Sequence, residues 1–533
     1  MRLNLRAVWA LVALSALDGS RFAQSLAAPS IPRRPSLRPL VALRMSSASP
    51  DAGDGDQSDQ TRRTLERKRR HVSREAEEEL GGLTGQARSF IFAVQFSEAV
   101  QSMMLFPFLP FMVEGFGIPR TELGAYTGLL SSSYCFASFV ATPVISWLSD
   151  TVGVRPTMLF TIAVGIVATI LFGTATTFQA ALIARIIAGT MNGNISILKA
   201  FIARTTAGTR RVKAFGILTL AFGCGAVIAP ATGGLLARPA TLYPSVFGEM
   251  AILRNAPYLL PCLACVMVQS AALLTTFLAL RGSGGGAAAA APGAAAAKSV
   301  GLRERIGFLK QRGPLLACLA YAMDCFVNVL YDLAVPLLLK TPVSEGGIGL
   351  SMRQIGFLMS AASIGLFGSI PLQAPLSRRV GSQRSLAWAN FLLLPVFCAL
   401  PCLSLVRAWG EAPGAPAVLR AVMFPILFLV LAAINCFGTL GFTLGNVLVN
   451  NSVPPQQLAM VNGVSQSLSA LARGFAPLVG GLVVTISSQV LPGGGGQFVV
   501  FAFMGLMTFL TGWVVKAVPP GPDSQPVTPA KAT

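Results

Sequence analysis

Twelve apolar runs, each about long enough to cross a bilayer, constrain this chain more than any motif in it. They lie near 88–113, 124–147, 156–176, 178–203, 214–237, 257–280, 314–340, 354–376, 385–406, 418–447, 459–486 and 497–517. A hydrocarbon core of about 30 Å takes roughly 20 apolar residues per helix. In lipid only helices and closed barrels satisfy every backbone polar group. Composition agrees, because 53% of the 533 residues are hydrophobic and only 12% charged, against about 25% charged in soluble domains. The fold class expected is an all-α membrane protein with twelve transmembrane helices.

A net charge of +20 could point to nucleic acid, but its placement argues for a membrane instead. With the first helix starting inside, the inner loops hold fourteen basic residues: Arg155, Arg204, Arg210, Arg211, Lys213, Arg281, Lys298, Arg303, Arg305, Lys310, Arg312, Arg378, Arg379 and Arg384. The outer loops hold seven: Arg120, Arg238, Arg254, Lys340, Arg353, Arg407 and Arg420. The run from Arg62 to Arg70 adds to the inner side. That asymmetry is how membrane proteins set orientation, so both ends of the helical body face one inner compartment.

Residues 1–20 begin with Arg2 and Arg6 and run apolar from Ala7 to Leu17, a secretory-signal pattern too short to span. From Gly19 to Pro50 there is no acidic residue, while Arg21, Arg33, Arg34, Arg38 and Arg44 are scattered among Ser, Ala and Pro. A transit-like segment behind a signal is similar to the plastid leaders of algae with complex plastids, with Val41–Ser47 as the processing region. The alternative is a plain secretory signal followed by a polar tail. The expected organisation is a leader over 1–50, a disordered polar linker over 51–87, a six-helix bundle over 88–280, a flexible Gly/Ala-rich inner loop over 281–313, a second bundle over 314–517 and a disordered tail over 518–533. The expected location is a plastid envelope, otherwise an endomembrane or the plasma membrane.

The two halves repeat. At an offset of 228, Gly128, Ser132, Phe139, Pro143, Leu148–Ser149 and Val152–Gly153 meet Gly356, Ser360, Phe367, Pro371, Leu376–Ser377 and Val380–Gly381. At an offset of 247, Gly216, Ala229, Pro230, Gly233, Gly234 and Leu235 meet Gly463, Ala476, Pro477, Gly480, Gly481 and Leu482. A duplicated six-helix unit suits a transporter whose substrate site lies between its repeats.

The loop SWLSDTVGVRP (Ser146–Pro156) joins the second and third spans and returns weakly as LSRRVG after the eighth. Gly153 supports a tight turn, Asp150 lies just before a positively polarised helix N-terminus, and Arg155 adds inner-side charge. Rocking of the halves would break such a hinge, so Asp150, Gly153 and Arg155 read as an inner gate. These residues resemble the loop signature of the major facilitator superfamily, Gly-x-x-x-Asp-Arg/Lys-x-Gly-Arg-Arg/Lys, which Ser146, Thr151 and Val154 depart from. Arg185, Gly189 and Gly193 are similar to the family's Arg-x-x-x-Gly pattern. Gly216, Gly225, Ala229, Pro230, Gly233 and Gly234 resemble its antiporter signature, with one Gly replaced by Ala; close packing of small residues is the plainer reading. MLFPFLPFMV (Met104–Val113), NGNISILKAF (Asn192–Phe201) and NNSVPPQQLAMVNG (Asn450–Gly463) resemble the zinc-induced-facilitator-like and tetracycline-efflux-like branch. The resemblance implies two pseudo-symmetric six-helix bundles, with helices one, four, seven and ten lining the cavity.

Ionisable groups inside spans cost at least about 2.5–3.5 kcal/mol on insertion scales, so each needs a reason. Glu98 and Gln101 share a face of the first span, and Arg185, Asn192 and Asn194 lie in the fourth. Asp324, Asn328, Tyr331 and Asp332 form one polar stripe on the seventh, and Asn435 lies in the tenth. At 1.5 Å per residue, Glu98 and Asp324 each lie roughly 15 Å from the inner ends of their helices. Two readings stay open. Either Glu98 and Arg185 form a permanent ion pair, or Glu98, Asp324 or Asp332 carries a proton in exchange for substrate. Gln101, Arg185, Asn192, Asn194, Asn328, Tyr331 and Asn435 are the candidate substrate-cavity residues.

Neither a phosphate-cradling G-x-x-x-x-G-K-[ST] run nor an H-E-x-x-H or G-x-S-x-G motif occurs. All nine cysteines fall within spans, and the pair Cys262-x-x-Cys265 lacks partner His or Cys, so it reads as hydrophobic packing rather than a metal site. The one histidine, His71, lies in a charged tail. No catalytic residue, metal or cofactor is expected. The function expected is a secondary transporter, acting as a monomer among lipids and exchanging a small organic solute for protons by alternating access. The alternatives are a proton-independent facilitator, a metal or metal-chelate transporter, and a non-transporting receptor on a transporter fold.

Overall fold

The computed structural model describes residues 85–206, 208–281, 311–411, 416–453, 458–491 and 495–519. The leader, nearly all of the linker and inner loop, the end of the tail and His71 lie outside the described residues. Among the described residues the regular structure is helical.

The first span is two helices, α1 (Gly85–Met103) and α2 (Leu109–Gly115), parted by turns around Pro107. A proline there removes a backbone donor and ends the i→i−4 ladder. Next come α3 (Leu123–Thr151) and α4 (Val154–Gly173), then a fourth span broken at Met191–Gly193 into α5 (Phe178–Thr190) and α6 (Asn194–Thr205), then α7 (Gly208–Leu236). Three short helices, α8 (Pro239–Leu242), α9 (Pro244–Phe247) and α10 (Ala251–Asn255), structure an outer loop that sequence reading left plain. The half closes with α11 (Leu259–Ala279). The second half runs through α12 (Arg312–Lys340), an eighth span split into α13 (Met352–Ala362) and α14 (Gly365–Arg379), α15 (Ser382–Glu411), α16 (Ala417–Asn451), α17 (Leu458–Val490) and α18 (Gly495–Ala517).

Eleven of these spans are long and apolar enough to cross a membrane by themselves. The first is not among them, because its 19-residue α1 carries Arg88, Gln95, Glu98 and Gln101. The outside of the body is clad in apolar side chains such as Phe160, Leu274, Leu429 and Trp513, each more than half exposed. Such a surface belongs in lipid, and the chain is a multi-pass integral membrane protein.

The repeat read from the sequence reappears in the packing. Gly356 of α13 lies against Pro230 of α7, so close that a Cβ on it would stand 2.5 Å from the Pro230 carbonyl oxygen. Its counterpart Gly128 of α3 lies in the same way against Pro477 of α17, the counterpart of Pro230. Gly234 faces the Met352 carbonyl, and its mate Gly481 faces the Gly124 carbonyl. Two seams, α3–α17 and α7–α13, thus join the halves with matching chemistry. The hinge repeats too: Gly153 and Gly381 both take positive φ, 109° and 90°. Only glycine adopts that conformation without strain.

Both seams close on the outer side. The α3–α17 contact runs from Gly124 to Phe136, whose ring meets Phe475 edge-on at 5.0 Å. Further along α3, Val140, Val144 and Trp147 are 69%, 59% and 64% exposed. On the inner side α6 packs on α1, α3, α4 and α7, all of its own half. The halves are therefore joined outside and part toward the inner side.

Candidate functional site

Of the seven residues expected to face one central cavity, Gln101 and Arg185 line a cavity inside the first half and Asn328 and Tyr331 one inside the second, while Asn192, Asn194 and Asn435 line neither. The first lies between α1, α4, α5 and α11, has a volume of about 20 Å³, enough for about one water, and is lined in part by Gln101, Thr169, Phe172, Arg185, Cys262 and Cys265. The second lies between α12, α15, α16 and α18, has a volume of only about 10 Å³, and is lined in part by Asp324, Asn328, Tyr331, Phe397 and Phe437. The two occupy equivalent places in the repeat.

The expected approach of Glu98 to Arg185 does not occur. The break at Met191–Gly193 starts α6 at Asn194, whose Nδ2 donates to Glu98 Oε1 at 2.7 Å. Thr161 Oγ1 donates in turn to Asn194 Oδ1 at 2.6 Å. An amide held from its other side thus takes the place a guanidinium would need. Arg185 instead stacks over the Tyr134 ring, its Cζ 4.2 Å from the centroid, with Phe172 at 5.9 Å. A buried guanidinium over an aromatic face recovers part of its lost hydration. Glu98 Oε2 and Arg185 Nε have no hydrogen-bond partner.

Gln101 Nε2 reaches Thr169 Oγ1 at 3.4 Å. Asn192 sits in the break, where its carbonyl accepts from Ser138 and Thr142 of α3. In the second half, Asn328 Nδ2 donates to the Asp324 carbonyl at 2.8 Å, and Asn435 Nδ2 donates to Tyr331 Oη at 3.1 Å. Asp324 is 5% exposed and its Oδ2 has no partner. Asp332 is half-buried on α12 and does not line the second cavity.

At the inner hinge Arg155 stacks on Phe277 of α11 at 4.9 Å, which ties the loop to the sixth span, and Asp150 is exposed. The glycines of the antiporter-type helix serve different neighbours: Gly225 packs on Ala99 and Gly233 on Met104 of the first half, Gly234 on α13, and Gly216 on open space. Ala229 is fully buried.

Sequence reading missed the outer closure. Lys340, at the end of α12, places Nζ 2.7 Å from Glu114 Oε2 across the halves. It also donates to the Pro110 carbonyl at 3.2 Å. Arg120 binds Glu114 at 3.0 Å and Glu345 of the other half at 3.4 Å. The signal was present as acids of each half, Glu114 and Glu345, just outside apolar runs and opposite bases of the other. Burial alone would raise the Glu114 carboxyl, but Lys340 and then Arg120 outweigh it and hold it below its ordinary 4.5. The sign follows from that depression: the latch favours outer closure fully above pH 4.5 and loses strength as pH falls through the depressed value. The outer-open population, read from spin-label distances across the seam, should stay flat from pH 7 to 5 and rise only as the pH falls below 4.5. Lys340→Met should raise it several-fold at pH 7.

Comparison with known proteins decides the family. The model of the major facilitator superfamily matches residues 91–254 and 317–533. The chain belongs to the major facilitator superfamily. The Arabidopsis thaliana protein Zinc Induced Facilitator 1 is 25% identical, over 76% of this chain and 85% of its own. A major facilitator superfamily multidrug transporter, mfsB of Aspergillus fumigatus, is 25% identical over 74% of this chain and 77% of its own. The fold matches the crystal structure of a bacterial homolog of the human lysosomal transporter Spinster, with a TM-score of 0.58 at 14% identity, covering 83% of this chain and 98% of that one. The first of these relatives lies on the branch that the three sequence phrases resemble. The chain is a transporter of the secondary kind, not an enzyme, and its cargo is a small molecule.

Proposed function

We propose that this transporter moves a small organic solute by alternating access in exchange for protons, as a monomer. The observation that carries the reading is the pair of buried carboxylates, Glu98 on α1 and Asp324 on α12. Each keeps one oxygen without a hydrogen-bond partner, and among the described residues neither forms an ion pair. An ionised carboxylate left so in an apolar span is costly, so its charge must be neutralised by something that comes and goes. Outer closure with inner parting supplies one of the two states that alternating access needs. In proteoliposomes, an imposed pH gradient should drive solute accumulation and its collapse should stop it; flux indifferent to the gradient would establish a facilitator instead.

The leader supports a plastid envelope as the site of action. Residues 1–60 fused to a fluorescent protein should enter plastids in an alga with complex plastids, and secretion of the fusion would overturn that placement.

A further inference from the structure

The parting between the halves begins beneath the α3–α17 seam, and two cations stand there, one from each half. Arg473 of α17 directly precedes Gly474 and Phe475, which pack on Phe136 at the inner end of that seam. Lys199 lies on α6, whose Ile197, Leu198 and Ile202 are buried in the core of the first half while Lys199 itself is exposed. Side chains lean toward the N-terminus of their own helix. The fourth span runs inward and the eleventh outward, so Lys199 leans toward mid-membrane and Arg473 toward the inner side. The two converge. Arg473 shows the lean directly: Nε donates to the Ser469 carbonyl at 3.2 Å and Nη2 to Ser469 Oγ at 3.3 Å, one turn back. The two charges are near enough to repel each other, and both lie near Cys325 of α12.

Neither cation has a counter-ion among the described residues. Asp332 of α12 acts on Cys135 of α3 as Arg473 does, yet it forms no ion pair with either cation. Arg473 commits Nε and Nη2 to Ser469, which leaves Nη1 for a partner. Two turns further in along α17, Gln466 hydrogen-bonds Tyr321 of α12, which also bonds Asn446 of α16. The wall on the inner side of Arg473 thus offers neutral hydrogen-bonding groups rather than acids. Snorkelling to the inner surface would carry the Lys199 ammonium away from a like charge, but it stays within reach of Arg473 instead.

We infer that an anionic group of the solute, a carboxylate or a phosphate, binds in the parting between the halves, held by Lys199 of the first and Arg473 of the second. Two like charges turned toward one gap repel, and an anion between them replaces that repulsion with two attractions. A cation would add to the positive charge, and a neutral solute would leave the repulsion standing. Lys199 and Arg473 belong to opposite halves, so a bound anion also draws the inner side together, which is the next motion that alternating access requires. The inference deepens the proposed transport by naming the class of its solute, and it rests on that reading.

The test is binding of phenylacetate and phenyl phosphate, against 2-phenylethanol and phenethylammonium, to purified full-length protein in phosphatidylcholine nanodiscs at fixed ionic strength. The anions should bind about 10-fold or more tightly than the neutral and cationic analogues, since a hydrogen bond to a charged group is worth at least one such factor. Lys199→Gln and Arg473→Gln should each abolish that preference, and Lys199→Arg should keep it. Lys199→Gln breaks no ion pair, so it should fold and decides the matter alone if Arg473→Gln does not. Equal binding of all four compounds, no binding of either anion, tighter binding of phenethylammonium, or an unaltered preference in Lys199→Gln would each overturn the inference. Flux under an imposed pH gradient separates it from its parent reading. Anion preference with gradient-blind flux sinks proton exchange alone; gradient-driven flux without anion preference sinks the anion site alone.

Discussion

Gly128→Val and Gly356→Val are each expected to cut transport by about 100-fold while leaving the two bundles folded. Each glycine meets backbone of the opposite half, Pro477 or Pro230, and a Cβ at Gly356 would stand 2.5 Å from a carbonyl oxygen. Flexible side chains can move aside from such an intrusion, but a helix backbone cannot without shifting the whole half. Overpacking a tight contact typically costs about 1–3 kcal/mol, and a backbone clash belongs at the upper end. Near 3 kcal/mol the outer-closed population falls about 100-fold, because each 1.4 kcal/mol is a factor of ten. The contacts inside each half are untouched, so expression and thermal stability should change little. Labelling of Asn328→Cys from the outer side, in a cysteine-depleted background, should rise in step with the lost transport. Because Gly128 and Gly356 are pseudo-symmetric, the two variants should behave alike. Normal counterflow in either would show that its seam need not close for turnover.

The repeat was legible because its residues are constrained twice, by helix geometry and by the opposite half. Gly128 with Pro477 and Gly356 with Pro230 recur in sequence because each pair occupies one seam. The positive φ of Gly153 was legible for a similar reason, since few residues tolerate that turn. The partners of Glu98 were not. Depth along a helix placed it near Arg185, but depth says nothing of azimuth, and the break before Asn194 rotates a competing amide into place. Nor could periodicity show that Gln101 and Arg185 point into one half while Asp324 and Asn328 point into the other. The outer latch was obscured for a further reason. Glu114 and Lys340 lie 226 positions apart, and counting basic residues for orientation treated Lys340 as a loop charge rather than as half of a pair.

The buried carboxylates carry the second large effect. Asp324→Asn is expected to abolish pH-gradient-driven accumulation altogether, with the protein still folded. No ion pair is broken by the change, and the only group close behind the carboxylate on α16 is glycine, so the amide fits where the carboxylate was. Loss of one partner from a true buried ion pair would by contrast cost about 3–5 kcal/mol. Glu98→Gln tests that distinction directly. Its amide oxygen can still accept from Asn194, so the chain from Thr161 to the first span survives and stability should fall by no more than about 1 kcal/mol. Adding Arg185→Gln to Glu98→Gln should then give no rescue, because the structure holds no pair to remove. Accumulation in Glu98→Gln that still follows the pH gradient would leave Asp324 as the coupling group. Undiminished accumulation in both variants would exclude both, and Asp332, half-buried eight residues along α12, would be next to substitute. Severe misfolding of Glu98→Gln, cured by the second change, would instead restore the ion pair that Asn194 displaces here.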